Sequence, residues 1–238
     1  MKNAAARACG FLLVWMLMLC AFSMAVYHTA GDGELLARAM LRYAPPEMTG
    51  LPETEYTGTA GMIAAYLTGQ EDHFQYTFSD KEGRRYLCFQ SHEADHMADC
   101  RNLIGLAGAV RWTAGAAVLI LAVSGIMLRR RKTFATGMLA GLCAAGIVIT
   151  GLIIWAAVNF DGLFVTFHRA AFTNDGWLLN PRTDLLIRLM PVNFFIALAA
   201  GVTLWVLAAM LAAGAAAWIM IKREGTSGSQ EKTVNCEL

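Results

Sequence analysis

Residues 133–160 read TFATGMLAGLCAAGIVITGLIIWAAVNF, without one Asp, Glu, Lys or Arg. A helix needs about 20 apolar residues, rising 1.5 Å each, to cross about 30 Å of hydrocarbon. Ala8 to Gly31, Trp112 to Leu128 and Leu189 to Ile221 are also free of charge and long enough, or nearly so. None of the five prolines falls in the part of these runs that hydrocarbon would bury. The 238-residue chain is 57% hydrophobic and 16% charged, against roughly 25% charged for soluble domains. These runs predict four transmembrane helices. A chain so rich in apolar residues is not disordered, and a net charge of +1 supplies no basic field for nucleic acid.

Lys and Arg concentrate on the cytoplasmic side of membrane proteins. Lys2 and Arg7 precede the first run, Arg129, Arg130, Arg131 and Lys132 link the second to the third, and Lys222 and Arg223 follow the fourth. All three groups fall on one side, so both termini are expected in the cytoplasm. The layout is then span 1–27, extracytoplasmic segment 28–105, span 106–128, basic link 129–133, span 134–158, extracytoplasmic loop 159–190, span 191–221 and tail 222–238. The first outer segment carries twelve acids against six bases, in keeping with that orientation. The fold class expected is an all-α integral membrane protein with four transmembrane helices and a small α+β extracytoplasmic cap.

The first run is too long for a usual signal-peptide core, so we read it as a retained anchor. Leu19 before Cys20 is wrong for a lipidation cleavage site, which makes Cys20 membrane filler. Cys9 and Cys143 lie in spans and Cys236 in the tail; Cys88 and Cys100 either pair outside or remain thiols. Gly137 and Gly141 form a G-x-x-x-G spacing extended by Gly146 and Thr150, and Ala199-Ala200-Gly201 with Ala212-Ala213-Gly214 offers a second smooth face, both suited to helix packing. No acid or base sits at a span centre, which argues against an ion-coupled transporter. Chemistry is therefore expected outside the membrane.

In the first outer segment, Gly33–Tyr43 and Thr54–Leu67 are expected to be helical, the former ended by Pro45-Pro46. Phe74–Ser79 and Arg85–Gln90, separated by Asp80-Lys81-Glu82-Gly83, predict a hairpin. Ser91 suits an N-cap, with Glu93 in the first turn of one helix reaching to near Arg129. The second outer segment holds Phe164 to Arg169, turns at Asn174-Asp175-Gly176 and Asn180-Pro181, and an amphipathic turn over Asp184–Leu189. Its aromatics suit a headgroup layer, but that does not account for His168 among them.

His92-Glu93-Ala94-Asp95-His96 satisfies H-E-x-x-H, the spacing at which two helix-borne His ligate zinc while Glu activates water. Against a membrane zinc peptidase stand the charged Asp95, the position at a helix start and a third ligand that would have to come from elsewhere, with His168 or a carboxylate as candidates. A non-enzymatic sensor or assembly partner is a further alternative. His28 is read as interfacial, His73 as exposed and His92, outside the zinc reading, as a solvated first-turn residue.

Glu93-x-x-His96-Met97-x-Asp99, then Phe167-His168-x-x-x-Phe172-x-Asn174-Asp175-x-Trp177, resembles the lipoprotein intramolecular transacylases (Lit). The similarity continues through Leu178-Leu179-x-Pro181-x-x-Asp184-x-Leu186-Ile187 and Pro191-x-x-Phe194-Phe195, and includes the four-span layout. It implies a membrane acyltransferase of the bacterial cell envelope without cofactor or metal. The partners implied are diacylglyceryl-modified lipoproteins, as substrate, and membrane lipid. The enzyme would move the sn-2 acyl chain to the α-amino group of the same cysteine, leaving an N-acylated lyso-form, with His96 and His168 as the catalytic pair. Imidazole titrates near neutrality and serves as base or acid, and intramolecular transfer already holds amine and ester together. His168 is taken as base and His96 as oxyanion donor or acid, the two roles being exchangeable. Glu93 and Asp175 are read either as orienting the imidazoles or as a helix-start charge and a turn residue, respectively, with Asp99, Asn174 and Trp177 supporting. The site is expected at the outer leaflet of the plasma membrane.

Overall fold

The computed structural model of the chain describes residues 1–79 and 82–234. Asp80 and Lys81 of the expected hairpin turn, and Cys236 of the tail, lie outside the described residues. In chain order the elements are α1 (Lys2–Gly31), α2 (Gly33–Tyr43), α3 (Pro46–Thr49), a 3-10 turn (Glu53–Glu55), α4 (Tyr56–Leu67), β1 (Thr77–Ser79) and β2 (Arg85–Leu87). There follow α5 (Ser91–Met127), α6 (Arg131–Val158), α7 (Phe160–Ala171), α8 (Leu185–Leu189) and α9 (Val192–Val234). The helices α1, α5, α6 and α9 are each long and apolar enough to cross a membrane. Leu119, Ile147, Leu211 and Trp218 project outward from them, a surface that water opposes and hydrocarbon accepts. The protein is a membrane protein with four such helices.

The chain forms two compact units. The first comprises Met1–Phe22, Val110–Ile154 and the chain from Leu204 onward. Its core joins Leu13 and Val14 of α1 to Phe134, Ala135, Met138 and Ala145 of α6 and to Ala213 and Ala217 of α9. Small residues set the distance of approach. A Cβ on Gly137 would collide with the carbonyl oxygen of Arg7, and one on Gly10 with that of Phe134. A Cβ on Gly141 would lie 3.0 Å from the carbonyl oxygen of Phe11. The obstacles are main-chain atoms, so no rotamer change makes room. The expected G-x-x-x-G is thus a packing face, as is Ala213. Gly201 faces open space, and Ala199 and Ala200 are exposed, so that half of the second smooth face packs against nothing among the described residues.

The second unit comprises Ser23–Ala109 and Trp155–Thr203. Asp32 caps α2 by accepting the Leu35 N–H at 2.9 Å, and Leu36, Ala37 and Met40 turn inward. They pack with Tyr56, Ala60 and Ile63 of α4, where a Cβ on Gly33 would come within 2.9 Å of Gly61 Cα. The Tyr56 hydroxyl is bound to Thr49 and Ala44 at the chain reversal made by Pro45 and Pro46. The expected helix from Thr54 begins instead as a 3-10 turn, with regular α-helix from Tyr56. The hairpin forms with Thr77 opposite Leu87 and Ser79 opposite Arg85, shorter than its two aromatic runs. Beyond the ladder, the Gln75 carboxamide both donates to Phe89 O and accepts from Phe89 N, doing with a side chain what strand pairing would do.

Three expectations are corrected locally. Ser91 is the first helical residue of α5 and Gln90 takes the cap position, because Glu93 Oε2 reaches back to the Gln90 N–H at 2.8 Å, the N3 half of a capping box. Residues 160–171, read as loop, form α7. Asn159 caps it by accepting the Gly162 N–H at 2.9 Å, and that cap also breaks the line from α6. At the other end, the helical backbone of α9 continues through Lys222 to Val234, beyond the expected span end at 221.

The segment between α7 and α9 is tied to the start of α5 through Glu93, which is fully buried. Its Oε1 accepts the Leu186 N–H at 2.7 Å, so one carboxylate serves both the cap of α5 and the first turn of α8. Beside it, His92 Nε2 lies 3.0 Å from Asp184 Oδ2. Arg188 donates to Thr49 O at 3.0 Å, tying α8 to α3. Burial pushes the Asp184 carboxyl up, but bonds from Thr183, His92 and the Asn180 N–H outweigh it and hold it below 3.8. The bond to Asp184 raises His92 above 6.5.

Replacing Gly137 by Leu is expected to cost at least about 1–3 kcal/mol, since overpacking here meets backbone; thermal unfolding in detergent measures it, and an unchanged midpoint contradicts the close crossing. The His92–Asp184 pair contributes fully above 3.8 and below 6.5, and its contribution fades as pH rises through the raised His92 value. The thermal advantage of the native chain over His92→Gln should therefore shrink between about pH 6 and about pH 8.5, and an advantage that grows with pH would contradict the pair.

Candidate active site

His96 lies on α5 one turn after the clamped Glu93, and His168 lies in the last turn of α7. Both are nearly closed to water, at 9% and 7% exposure. Their ring centroids are 6.2 Å apart with planes tilted by 33°. Phe172, just past the end of α7, packs against both, at 5.4 Å from His96 and 5.5 Å from His168. Two stretches more than seventy residues apart thus supply one histidine pair.

The Phe160, Phe164 and His168 spacing puts three rings on one face of α7. Phe164 lies 4.0 Å from the His168 ring, and Trp177, from the turn that follows, lies 5.1 Å away on another side. His168 Nδ1 is 2.8 Å from Phe164 O. A carbonyl only accepts, so Nδ1 carries the proton, and Nε2 of the neutral ring holds a lone pair. Burial lowers the His168 pKa from 6.5, and the Phe164 carbonyl opposes this in part. Burial also lowers His96, next the positive charge that His168 can carry, while Asp99 opposes. With both pKa values below 6.5, both rings are neutral at neutral pH, and Nε2 of His168 has no hydrogen-bond partner among the described residues.

The supporting residues divide. Trp177 packs on His168. Asp99 Oδ2 accepts from Asn174 Nδ2 at 2.9 Å, and Asn174 Oδ1 accepts the Gly176 N–H at 2.9 Å, joining α5 to the turn after α7. Glu93 orients neither imidazole, because backbone N–H groups occupy both of its oxygens. Asp175 is exposed in the turn, and Phe164 O is the partner of His168 Nδ1. Sequence reasoning missed that carbonyl, the pairing of Asp184 with His92 and the position of Cys100, whose Sγ lies 3.6 Å from His96 Nε2. The i,i+4 spacing of His96 with Cys100, like that of Phe164 with His168, is the signal that could have found them.

The H-E-x-x-H motif is not arranged as a metal site. His92 is turned to Asp184, Glu93 has no free oxygen for a water, and no group of three His, Cys, Asp or Glu could hold a metal ion among the described residues. Cys88 and Cys100 are both free thiols.

The family profile of the lipoprotein intramolecular transacylase Lit matches residues 11–195. The chain shares its fold with the in meso structure of the membrane integral Lit from Bacillus cereus, with TM-score 0.72 and 20% identity over 93% of this chain and 98% of that one. Two structures of the same Bacillus cereus protein carry one histidine replaced by arginine or by alanine. They match with TM-scores 0.68 and 0.66, at 18% and 19% identity, over 93% of this chain and 94% and 96% of theirs. No curated protein matches the chain. With a match across most of its length, the chain belongs to the lipoprotein intramolecular transacylase Lit family.

Proposed function

We propose that the protein moves the sn-2 acyl chain of a diacylglyceryl-modified lipoprotein cysteine to the α-amino group of that cysteine, with His96 and His168 as its acid–base pair. The observation that carries this reading is the 6.2 Å separation of the two buried rings, one of them with a free basic nitrogen. His168 Nε2 takes a proton from the α-ammonium. The amine nitrogen then attacks the ester carbonyl carbon, a C–N bond forms, and charge collects on the carbonyl oxygen. An N–H of His96 stabilises that oxyanion. Collapse breaks the bond from carbonyl carbon to sn-2 oxygen, and the departing oxygen takes a proton. Of the two protons the ammonium gives up, one ends on the new hydroxyl and the other in solvent. No water is consumed and no acyl-enzyme is needed. Amine and ester belong to one molecule, so holding them together supplies much of the rate.

The basic groups at Lys2 and Arg7, at Arg129–Lys132 and at Lys222 and Arg223 support a plasma-membrane orientation with both termini cytoplasmic. The histidine pair then faces the outer leaflet, where lipid-modified substrate resides. Phe164, Phe172 and Trp177 around the rings exclude water, which would otherwise hydrolyse the ester.

On expression in a host lacking this activity, mass spectrometry should show host lipoproteins shifted from the diacyl to the N-acyl lyso-form. His168→Ala and His96→Ala should each lower the transfer rate by about 10²-fold or more at unchanged protein level; full retention in either removes that residue from the mechanism. Because burial lowers the His168 pKa from 6.5, acidification below that point should slow the reaction. A fall in rate between pH 6.5 and 7.5 would contradict a neutral histidine base.

A further inference from the structure

Cys100 takes no part in the mechanism above, yet its sulfur is the near neighbour of His96 Nε2, at 3.6 Å from the next turn of α5. We infer that the Cys100 thiol is a positioning residue that donates to His96 Nε2 and so fixes the neutral ring in its Nδ1–H form. This rests on the transacylase reading and deepens it.

Three observations support it. Cys100 is a free thiol packed against the core of the second unit. Burial, with the Asp99 charge next, pushes its pKa up to about 12, so it keeps its hydrogen throughout the working range. An imidazole lone pair accepts a hydrogen bond well, whereas a thiol sulfur accepts one weakly. The favoured arrangement is therefore S–H toward Nε2. A neutral ring has one proton, so it must then sit on Nδ1.

The consequence is a division of labour between the rings. The Phe164 carbonyl leaves His168 with a basic nitrogen at Nε2, and the Cys100 thiol leaves His96 with a donor at Nδ1. One ring removes a proton and the other presents one to the oxyanion or the departing alkoxide. Without the thiol, His96 redistributes to the Nε2–H form, and the donor moves to the far side of the ring.

Full-length protein in detergent, labelled with ¹⁵N-histidine and assigned by comparison with His96→Ala, reports the tautomer without turnover. Its result therefore stands apart from whether lipoprotein is converted. Native protein and Cys100→Ser should show the His96 proton on Nδ1, and Cys100→Ala should move population to Nε2–H. In the lipoprotein assay Cys100→Ala should lower kcat by about two- to tenfold, the worth of one hydrogen bond, with KM unchanged, and serine should recover most of it. A native protein with the His96 proton on Nε2, or an alanine variant with native tautomer and native kcat, overturns the inference. So does a serine variant as slow as alanine. Should alanine fail to fold, the native and serine spectra decide alone.

Discussion

A carboxylate with no access to water holds the second unit in register. Glu93 accepts the Gln90 N–H at 2.8 Å and the Leu186 N–H at 2.7 Å, and a buried acceptor of this kind is strongly constrained. The buried Leu186 N–H, left without this acceptor, would cost about 1–3 kcal/mol. The bond to Gln90 sets where α5 begins, and hence the angular position of His96 one turn later. The bond to Leu186 fixes α8, and the Asn180–Asp184 turn before it leads back through Trp177 and Phe172 to α7. The two histidines meet because segments distant in sequence share this one anchor, with His92–Asp184 and Arg188–Thr49 beside it.

The chemistry follows from what surrounds the rings rather than from the rings alone. Aromatic neighbours remove water, which lowers both pKa values and leaves two neutral imidazoles near neutral pH. The Phe164 carbonyl then decides which nitrogen of His168 is basic. A reaction that joins two groups of one molecule asks little more of a protein than a dry pocket, a base and a donor. Rigid helices in the first unit, brought together through Gly10 and Gly137 without intervening side chains, complete a fold that exposes its apolar surface to lipid.

Much of this was legible in the residues. Charge-free runs located the four long helices because burial of charge in hydrocarbon is costly, and Pro45-Pro46 marked the end of α2. His96 and His168 were picked out by their motifs, and the structure brings them together. The roles of Glu93 and Asp175 were not legible: spacing shows that a carboxylate lies near an imidazole in sequence, but not that backbone donors already occupy it. Helix α7 was overlooked because its aromatics suggested an interfacial loop, although Asn159 and the four-residue spacing of Phe160, Phe164 and His168 carried the helical signal. The H-E-x-x-H match had the right letters, but its first histidine is held by Asp184, a partner ninety-two positions away.

The account depends on His96 and His168 acting as one unit on one ester. Transfer rates of His96→Ala, His168→Ala and the double variant, measured against the native protein by mass spectrometry of the lipoprotein N-terminus, test this most directly. The double variant should be about as slow as the slower single one, because either loss alone disables the shared step. Losses that multiply, as for independent sites, would contradict the account.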